Sequence, residues 1–397
     1  MAAGKANLHL THAEDAIIID GSEGGRQVVE LLKLMGKFLS GDPGPGVKVT
    51  TKFDGAPAVI CGTDPEDGQF FVGTKSVFAK DRKLCKSEQD VRDLYNGQLM
   101  EKLIAAFNHL KECNIKGVLQ GDLMFTNDKK VERIDGDNYV TFRPNTITYA
   151  APTNSELGKK ISGCGLGIVF HTKYTGTDLS AMTSSFDVSD NDYKAANGVW
   201  IEKAEFNDIS GVASMSGSER EAYNAAIRRL EGSLKQANST LNLMQTGKKT
   251  LEIDTEFLKF FNNYVKAGLA IPSVDRAFND FFIHMGKEYD KKIQSLKTMA
   301  AQEKKAKNFI KTIEFLEQHE RGFKMVIAAY MNIQYCKHIL VDKMKKVSTL
   351  RLFVMINGDY KVTSPEGFVS ITSKGAVKLI DRLEFSRLNF TVPKSWA

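Results

Sequence analysis

A lysine at the end of an apolar run has the setting of a nucleophile. Lys52 follows residues 47–51, precedes Asp54-Gly55, and is followed by a second apolar run at residues 56–61. This arrangement predicts a strand, a tight turn and a second strand. At the mouth of a cleft, burial or nearby positive charge lowers the pKa of a lysine and makes its free amine nucleophilic. We therefore expect Lys52 to attack an electrophile bound in such a cleft.

Later apolar runs that predict strands also carry polar or aromatic residues suited to phosphate chemistry. Carboxylates can hold a divalent cation or a sugar hydroxyl, and lysines can neutralise phosphate. Transfer of a phosphorus-containing group depends on positioning and charge more than on acid–base groups, so a sparse set of side chains suffices.

The pattern Lys52-x-Asp54-Gly55 resembles motif I of the covalent nucleotidyltransferases, which include ATP-dependent DNA ligases, RNA ligases and mRNA capping enzymes. Segments resembling the other motifs follow in the family's order: Lys75-Ser76 for motif Ia, Gly121-Asp122 for motif III, Phe170 for motif IIIa, Glu366 for motif IV and Lys378 for motif V. The resemblance implies that Lys52 attacks the α-phosphate of a nucleoside triphosphate and retains the nucleotide as a phosphoramide.

The resemblance also implies roles for the other residues. Asp54, Gly55 and Lys75 would contact the nucleotide, with Asp122 on the ribose and Phe170 against the base. Glu366 would hold Mg²⁺ or Mn²⁺. Lys378 would contact the α-phosphate, and its charge together with the metal would depress the pKa of Lys52.

Several positions depart from the family pattern. Asp122 is one methylene shorter than the usual glutamate, so the same role would require a closer backbone. Motif V often has two lysines two apart, whereas Lys378 is single and Lys374 is a possible substitute. Thr50 stands where many ligases have a glutamate that reads adenine, so ATP is expected but GTP stays open. An alternative motif IV at residues 197–203 has Asn197 in place of a metal-binding carboxylate.

Each candidate also has an ordinary structural interpretation. An aromatic residue such as Phe170 is more often part of a core than a base platform, and Lys75 could be a simple exposed lysine. Gly121-Asp122 could merely begin a turn. The order of the motifs along the chain, more than any one of them, favours the functional interpretation.

The periodicity predicts an α+β protein in which an antiparallel-sheet nucleotidyltransferase domain is interrupted by an inserted helical domain. Apolar residues recur at helical spacing over residues 87–113 and again from about Ser216 to Lys346. We expect residues 1–204 to form the first part of the sheet domain, 205–348 the helical insertion and 349–397 the second part. Nucleotidylation of Lys52 should then need only the sheet domain.

Charge is distributed unevenly between these parts. Residues 205–348 carry 23 Lys and Arg against 17 Asp and Glu, so the whole formal excess of +6 lies in the insertion. Its basic clusters could follow a phosphate backbone, or they could be solvated helix faces. Lys304, Lys305 and Lys307 are the candidates there for contacting nucleic acid, and Arg143 is another in the sheet domain.

Composition excludes several other classes. Five scattered cysteines without a C-x-x-C pair argue against a disulfide framework and a structural zinc site. No apolar run reaches membrane-spanning length and the N-terminus lacks a signal-peptide core, which predicts a cytoplasmic protein without a membrane partner. Motifs of P-loop, Rossmann, α/β-hydrolase or zincin enzymes are missing from the sequence. Stretches around residues 12–21 and 52–76 resemble proteins of unknown function from large tailed phages, which would place this chain in the cytoplasm of an infected cell.

We therefore expect a Mg²⁺- and ATP-dependent ligase of polynucleotide ends, with RNA preferred over DNA, acting through a covalent nucleotide on Lys52. One alternative is a nucleic-acid- or protein-binding module with a degenerate nucleotidyltransferase domain. Another is a nucleotidyltransferase that modifies a protein or a small molecule.

Overall fold

Helices and mostly antiparallel sheets make up the chain, as expected for an α+β protein. The computed structural model describes residues 10–41, 47–206, 211–347, 350–356, 358–372 and 375–386. The helices are α1 (Ala16–Ile19), α2 (Gly21–Phe38), α3 (Glu88–Leu94), α4 (Gly97–Leu110), α5 (Glu156–Ser162), α6 (Gly217–Leu251), α7 (Ile253–Ala267), α8 (Val274–Gln294), α9 (Met299–Gln318) and α10 (Glu320–Met344). The strands are β1 (Lys48–Lys52), β2 (Ala58–Thr63), β3 (Phe70–Gly73), β4 (Val118–Phe125), β5 (Lys130–Ile134), β6 (Asp137–Phe142), β7 (Ile147–Pro152), β8 (Leu166–Thr175), β9 (Thr183–Ser185), β10 (Val199–Lys203), β11 (Arg351–Ile356), β12 (Asp359–Val362), β13 (Gly367–Thr372) and β14 (Gly375–Leu379).

The strands form three sheets. The first has the order β1-β13-β14, the second β10-β8-β4-β2-β3 with β9 beside β8, and the third β12-β11-β7-β6-β5. Neighbouring strands are antiparallel except β8 and β10. Strands from both ends of the sequence share the first and third sheets, so β11 to β14 complete structures begun before the long helices.

The segment between β1 and β2 differs from the expected tight turn. β1 pairs with β13, whereas β2 pairs with β3 and β4, so the two strands lie in different sheets. Residues 53–57 are therefore a crossover, and the peptide bond between Ala56 and Pro57 is cis. The prediction of two strands was right, but a local turn signal could not reveal that each strand has a distant partner.

Helices α6 to α10 pack around one hydrophobic core, and the N-terminal residues share it. Buried side chains between Ala13 and Leu39 belong to the same cluster as those of α6, α8 and α10. Val49, Phe368 and Leu379 extend this cluster into the first sheet. Residues 13–39, which the sequence assigned to the sheet domain, thus pack with the helices. One face of the first sheet packs against the same helical core.

Residues 87–113 form two helices where one was expected. Ser87 caps α3 as its type suggests, accepting a hydrogen bond from the Asp90 amide at 3.1 Å. The chain then breaks before α4, where Gly97 has a φ of +56° that favours glycine. At residue 216 the expected helix start is confirmed, because Ser216 and Glu219 form a capping box.

Within the described ranges, no helix is both long and apolar enough to cross a membrane.

Candidate functional site

Lys52 and Glu366 form an ion pair although 314 positions separate them in the sequence. The antiparallel register of β1 and β13 places Lys52 opposite Gly367, directly beside Glu366. Gly367 has a φ of +155°, and a Cβ there would lie 2.6 Å from the Leu379 carbonyl oxygen. A glycine after Glu366 is therefore required for β14 to approach β13 so closely.

The charges around Lys52 raise its pKa. Burial alone would lower the pKa of this lysine, but the carboxylates of Glu366, Asp122 and Asp54 outweigh burial and raise the pKa above its usual value. The expected depression of this pKa, by Lys378 together with a metal held by Glu366, stays a prediction. Lys378 supplies positive charge, but three carboxylates surround the amine as well.

Glu366 lies in an environment that disfavours its charge. It is 9% exposed, and burial raises the pKa of its carboxyl despite the attraction of Lys52. Asp54 and Asp122 add repulsion in the same direction. The carboxyl group thus holds a charge whose main direct partner is the Lys52 ammonium.

Asp54 is buried and holds the crossover in place. One carboxylate oxygen accepts hydrogen bonds from the backbone amides of Thr146 and Ile147 at 2.7 and 2.9 Å, and the other from the Asn145 side chain at 2.8 Å. The Asp54 amide donates to the Tyr149 hydroxyl at 2.7 Å. These bonds fasten Asp54, two residues after Lys52, to the start of β7, so Asp54 positions the crossover and its oxygens are already occupied.

Asp122 lies against the crossover. A Cβ on Gly55 would lie 2.6 Å from the Asp122 Cβ. The backbone amide of Ala56 donates to the Leu123 carbonyl at 2.9 Å, fixing this close approach. The Asp122 carboxylate also lies near His171, with 3.6 Å between His171 Nε2 and Asp122 Oδ1.

Two further lysines contribute charge to this cluster. Lys378 pairs with Val369 across β13 and β14, and Val369 in turn pairs with Thr50. Burial lowers the pKa of Lys378, and the nearby ammonium groups of Lys52 and Lys75 lower it further. Lys75 is exposed in the turn after β3. The lysine with the lowered pKa in this site is thus Lys378.

Phe170 lines a pocket of about 240 Å³ together with Thr50, two residues before Lys52 on β1. Phe170 is 3% exposed, and its ring centroid lies 5.5 Å from that of Tyr193. The ring therefore contributes to the core and also forms part of the pocket wall. Other lining residues are Lys48, His171, Phe186, Val188 and Glu202.

The lysines proposed to contact nucleic acid lie on α9, outside this cluster. Lys304 and Lys307 are exposed on α9, whereas Lys305 bonds to both Glu252 oxygens at 3.2 Å. Arg143 donates to the Asn145 carbonyl at 3.3 Å, within the turn that holds Asp54.

Sequence reasoning did not find the roles of Asn145 and Tyr149. Both bind the crossover through contacts more than ninety positions apart, for which their local sequence carries no signal. Lys374, the possible second lysine of motif V, lies outside the described residues.

A divalent cation could bind here only with help from a ligand. The described ranges contain no group of three or more His, Cys, Asp or Glu side chains arranged to hold a metal ion. Glu366 and Asp122 nevertheless offer two carboxylates. Lys52 and Lys378 belong to the same cluster, and their charge can neutralise a phosphate. This donor set fits Mg²⁺, which commonly binds through one or two carboxylates while substrate phosphates and water complete its coordination.

Comparison with known proteins gives one family match. The model of a family described as "Family of unknown function (DUF6267)" matches residues 7–394. Neither the curated proteins nor the solved structures contain a match.

Proposed function

The chain belongs to the DUF6267 family of unknown function, and we propose that it is a covalent nucleotidyltransferase that joins polynucleotide ends. The observation that supports this most is the convergence of Lys52, Asp122, Glu366 and Lys378, which come from distant parts of the chain, on one electrostatic cluster. Two lysines and two carboxylates held together in this way could bind a triphosphate and a metal ion during nucleotide transfer.

The reaction would proceed by attack of the unprotonated Lys52 amine on the α-phosphorus of ATP. A nitrogen–phosphorus bond forms, the bond between the α-phosphorus and the bridging oxygen breaks, and pyrophosphate leaves with that electron pair. The amine proton passes to solvent. Lys378 would stabilise negative charge on the phosphate, and Asp122 would accept hydrogen bonds from the ribose. A 5′-phosphate end of RNA, or less readily DNA, would then take the nucleotide from Lys52.

Glu366 would change partners during this reaction. A bound Mg²⁺ or Mn²⁺ would neutralise the triphosphate and help pyrophosphate to leave. If Glu366 binds the cation, Lys52 loses its nearest counter-charge, so its pKa falls and the free amine becomes available. The raised pKa of the free protein is then that of a resting site.

The pocket lined by Thr50 and Phe170 is the proposed place for the base. Its volume of about 240 Å³ and its aromatic wall suit a planar ring. Thr50 can donate or accept a hydrogen bond, so it would not by itself select adenine over guanine. In this arrangement the first two sheets form the ligase-like domain, and α6 to α10 form the insertion.

Labelling with each of the four nucleoside triphosphates, radioactive at the α-phosphate, tests the proposal. We expect ATP to give label that survives denaturation and maps to Lys52, and Lys52→Ala to abolish it. Lys130→Ala, a change of an exposed lysine on β5, is the matched control and should label as wild type. Label on another lysine, or full label in Lys52→Ala, would refute the assignment.

The metal role is tested in the same assay. Glu366→Ala should lose the labelling that Mg²⁺ or Mn²⁺ supports, because a hard cation prefers a carboxylate. Asn197→Ala should keep most of it, since this residue is an exposed amide in the turn before β10. The opposite pattern would move the metal site to residues 197–203.

One observation favours a binding module with a degenerate site instead. The close pairing of Lys52 with Glu366 and the raised pKa of Lys52 would suit a site that binds a nucleotide without reacting. Absence of label with all four triphosphates, together with retained binding of ATP by calorimetry, would establish this alternative. Label that transfers to a protein or small molecule, but not to RNA or DNA, would instead indicate a different acceptor.

A further inference from the structure

A groove follows the contact between α2 and α6. Two adjoining pockets of about 540 and 430 Å³ lie along it, and both are lined by Lys33 and Glu231. We call this surface the α2/α6 groove. It is formed by the N-terminal helix and the first long helix after β10, and no residue of the Lys52 cluster lines it.

The two helices run antiparallel and approach closely. Ser22 donates to Asn242 at 2.7 Å near one end, and the Tyr223 hydroxyl donates to the Leu32 carbonyl at 2.8 Å towards the other. Gly36 allows this approach, because a Cβ there would lie 2.6 Å from the Tyr223 ring. Since the helices are held along their length, the groove between them is a continuous preformed surface.

Cations dominate the groove. Its lining contains six basic residues against two acidic ones, Glu30 and Glu231: Arg26, Lys33, Lys37, Arg220, Arg228 and Lys235. Glu231 is already taken by Lys33 at 2.6 Å, and Arg26 pairs with Glu23.

Three of these cations carry most of the uncompensated charge. Lys37, Arg220 and Arg228 are exposed and line the pocket of 430 Å³, in which Glu231 is the acidic residue. Within the part of the chain that the structure describes, no carboxylate forms an ion pair with any of the three. This end of the groove is therefore a positively charged surface without internal neutralisation.

The spacing of the cations suits an extended ligand. At 1.5 Å per residue, Arg220 and Arg228 lie about 12 Å apart along the axis of α6, and Arg220 and Lys235 about 22 Å apart. A single phosphate would need the charges to converge on one point. A row of cations over this length instead matches a linear polyanion with regularly spaced charges.

Aromatic side chains in the helical core join the end of α2 to the first sheet. Phe38 follows Lys37 at the end of α2 and packs on Phe206 with ring centroids 6.3 Å apart. Phe206 packs on Phe368 at 5.3 Å, and Phe368 follows Gly367, the residue paired with Lys52. These side chains thus join the charged end of the groove, through the helical core, to the face of β13 that points away from the Lys52 side chain.

We propose that the α2/α6 groove binds the phosphodiester backbone of the polynucleotide substrate. The choice of polynucleotide rests on the proposed function, but the charge and shape of the groove do not. Lys37, Arg220 and Arg228 contact successive phosphates and release their counterions, which gives affinity without base specificity. The groove, and not the α9 cluster around Lys304, is then the main polynucleotide surface.

The test compares two charge-matched triple variants of the full chain. Lys37→Gln/Arg220→Gln/Arg228→Gln removes three charges from the groove, and Lys304→Gln/Lys307→Gln/Lys311→Gln removes three exposed charges from α9. Binding of a fluorescent single-stranded RNA is measured by anisotropy over a range of salt concentrations. All six residues are exposed, so both variants should keep the wild-type melting temperature.

We expect the groove variant to bind RNA roughly tenfold or more weakly at low salt, with the slope of log K against log salt reduced by about 2, the loss of three phosphate contacts on a single strand. The α9 variant should keep the wild-type affinity and slope. Unchanged RNA binding in the folded groove variant, or the same loss in the α9 variant alone, would overturn the proposal.

Self-labelling separates this proposal from the proposed function. Both variants should label Lys52 with ATP as wild type does, since neither touches the site. If wild type fails to label but the groove variant still loses RNA binding, the catalytic proposal falls and the groove assignment stands.

Discussion

The ion pair between Lys52 and Glu366 joins the two residues on which the proposed chemistry most depends. The lysine must lose a proton to react, yet its carboxylate neighbours raise its pKa. Glu366, in turn, is buried and has its own pKa raised. While the ion pair persists, Lys52 stays protonated and Glu366 is not free to bind a cation. A ligand that separates the two would release both, and until then the pair would protect the amine from unproductive reactions.

Reactivity of Lys52 towards an amine-selective reagent, measured without divalent metal, should report this coupling. In Glu366→Gln the ammonium loses its strongest counter-charge, so the pKa of Lys52 falls and its modification begins at lower pH than in wild type. Mass spectrometry of the Lys52 peptide across a pH series gives the midpoint. The exposed Lys130 serves as an internal reference whose midpoint should not move. A midpoint for Lys52 that stays or rises in Glu366→Gln would contradict the geometry.

At the scale of elements, the crossover between β1 and β2 is the part that assembles the site. It carries Lys52 out of the first sheet and brings the chain against Asp122 in the second. Asp54 fastens it to the start of β7 in the third sheet. One short segment thus connects all three sheets, which explains why Asp and Gly follow the lysine.

Gly55→Ala should impair the site through this crossover. The added methyl group would lie 2.6 Å from the Asp122 Cβ and 3.0 Å from the Leu123 carbonyl oxygen, so crossover and β4 must separate. We expect labelling to fall strongly and the free energy of unfolding to fall by about 1–3 kcal/mol, the usual cost of overpacking.

Gly232→Ala is the matched control for Gly55→Ala. Gly232 lies on exposed α6 with nothing within 4 Å of an added Cβ. This variant should be more stable by about 0.5–1 kcal/mol, because alanine favours a helix over glycine. Urea unfolding and ATP labelling measure both effects. Normal labelling in Gly55→Ala would mean that the close approach to Asp122 is not needed.

At the scale of the whole molecule, the helices pack against and support the first sheet. Val49, Phe368 and Leu379 on one face of β1, β13 and β14 lie in the helical core. Lys52 and Lys378 lie on the other side of these strands, by the alternation of side chains. The expectation that nucleotidylation needs only the sheet domain therefore meets a physical obstacle, because removing the helices would expose this apolar face to water.

A buried ion network joins the N-terminal residues, α10 and the segment that follows β14. Lys337 on α10 contacts both carboxylate oxygens of Glu14 at 2.7 Å, and the two residues are 4% and 0% exposed. Arg382, four residues after Lys378, bonds to Asp15 at 3.2 Å and to the Tyr330 hydroxyl at 3.0 Å. Burial would raise the pKa of Glu14, but Lys337 and other cations reverse this and lower it.

Lys337→Met should cost about 3–5 kcal/mol of unfolding free energy, because it removes the main counter-charge of the buried Glu14 carboxylate and leaves, among the described residues, only Arg382 at 3.7 Å. Adding Glu14→Gln should recover most of this loss, since the carboxylate charge that Lys337 balanced is then gone. Lys291→Met breaks an exposed pair with Glu288 and should cost less than about 1 kcal/mol. Urea unfolding at neutral pH gives all three values. A double variant as unstable as Lys337→Met would show that packing, and not charge, holds this junction.

The sequence alone determined the parts whose signals are local. Alternating and helical periodicity predicted the strands around Lys52 and the helices from Ser216 onward. The resemblance to the covalent nucleotidyltransferases proposed Lys52, Asp122, Glu366 and Lys378 as site residues, by their types and their order along the chain. These predictions depend on residues within a few positions of one another, which the printed sequence shows directly.

Only the tertiary structure decided how these residues meet. The pairing of β1 with β13 brings Glu366 to Lys52, where its carboxylate raises the pKa of the lysine. The bonds of Asp54 to the start of β7 make it a positioning residue. Strand register, burial and electrostatic surroundings depend on contacts between segments hundreds of positions apart, and a single sequence carries no local trace of them.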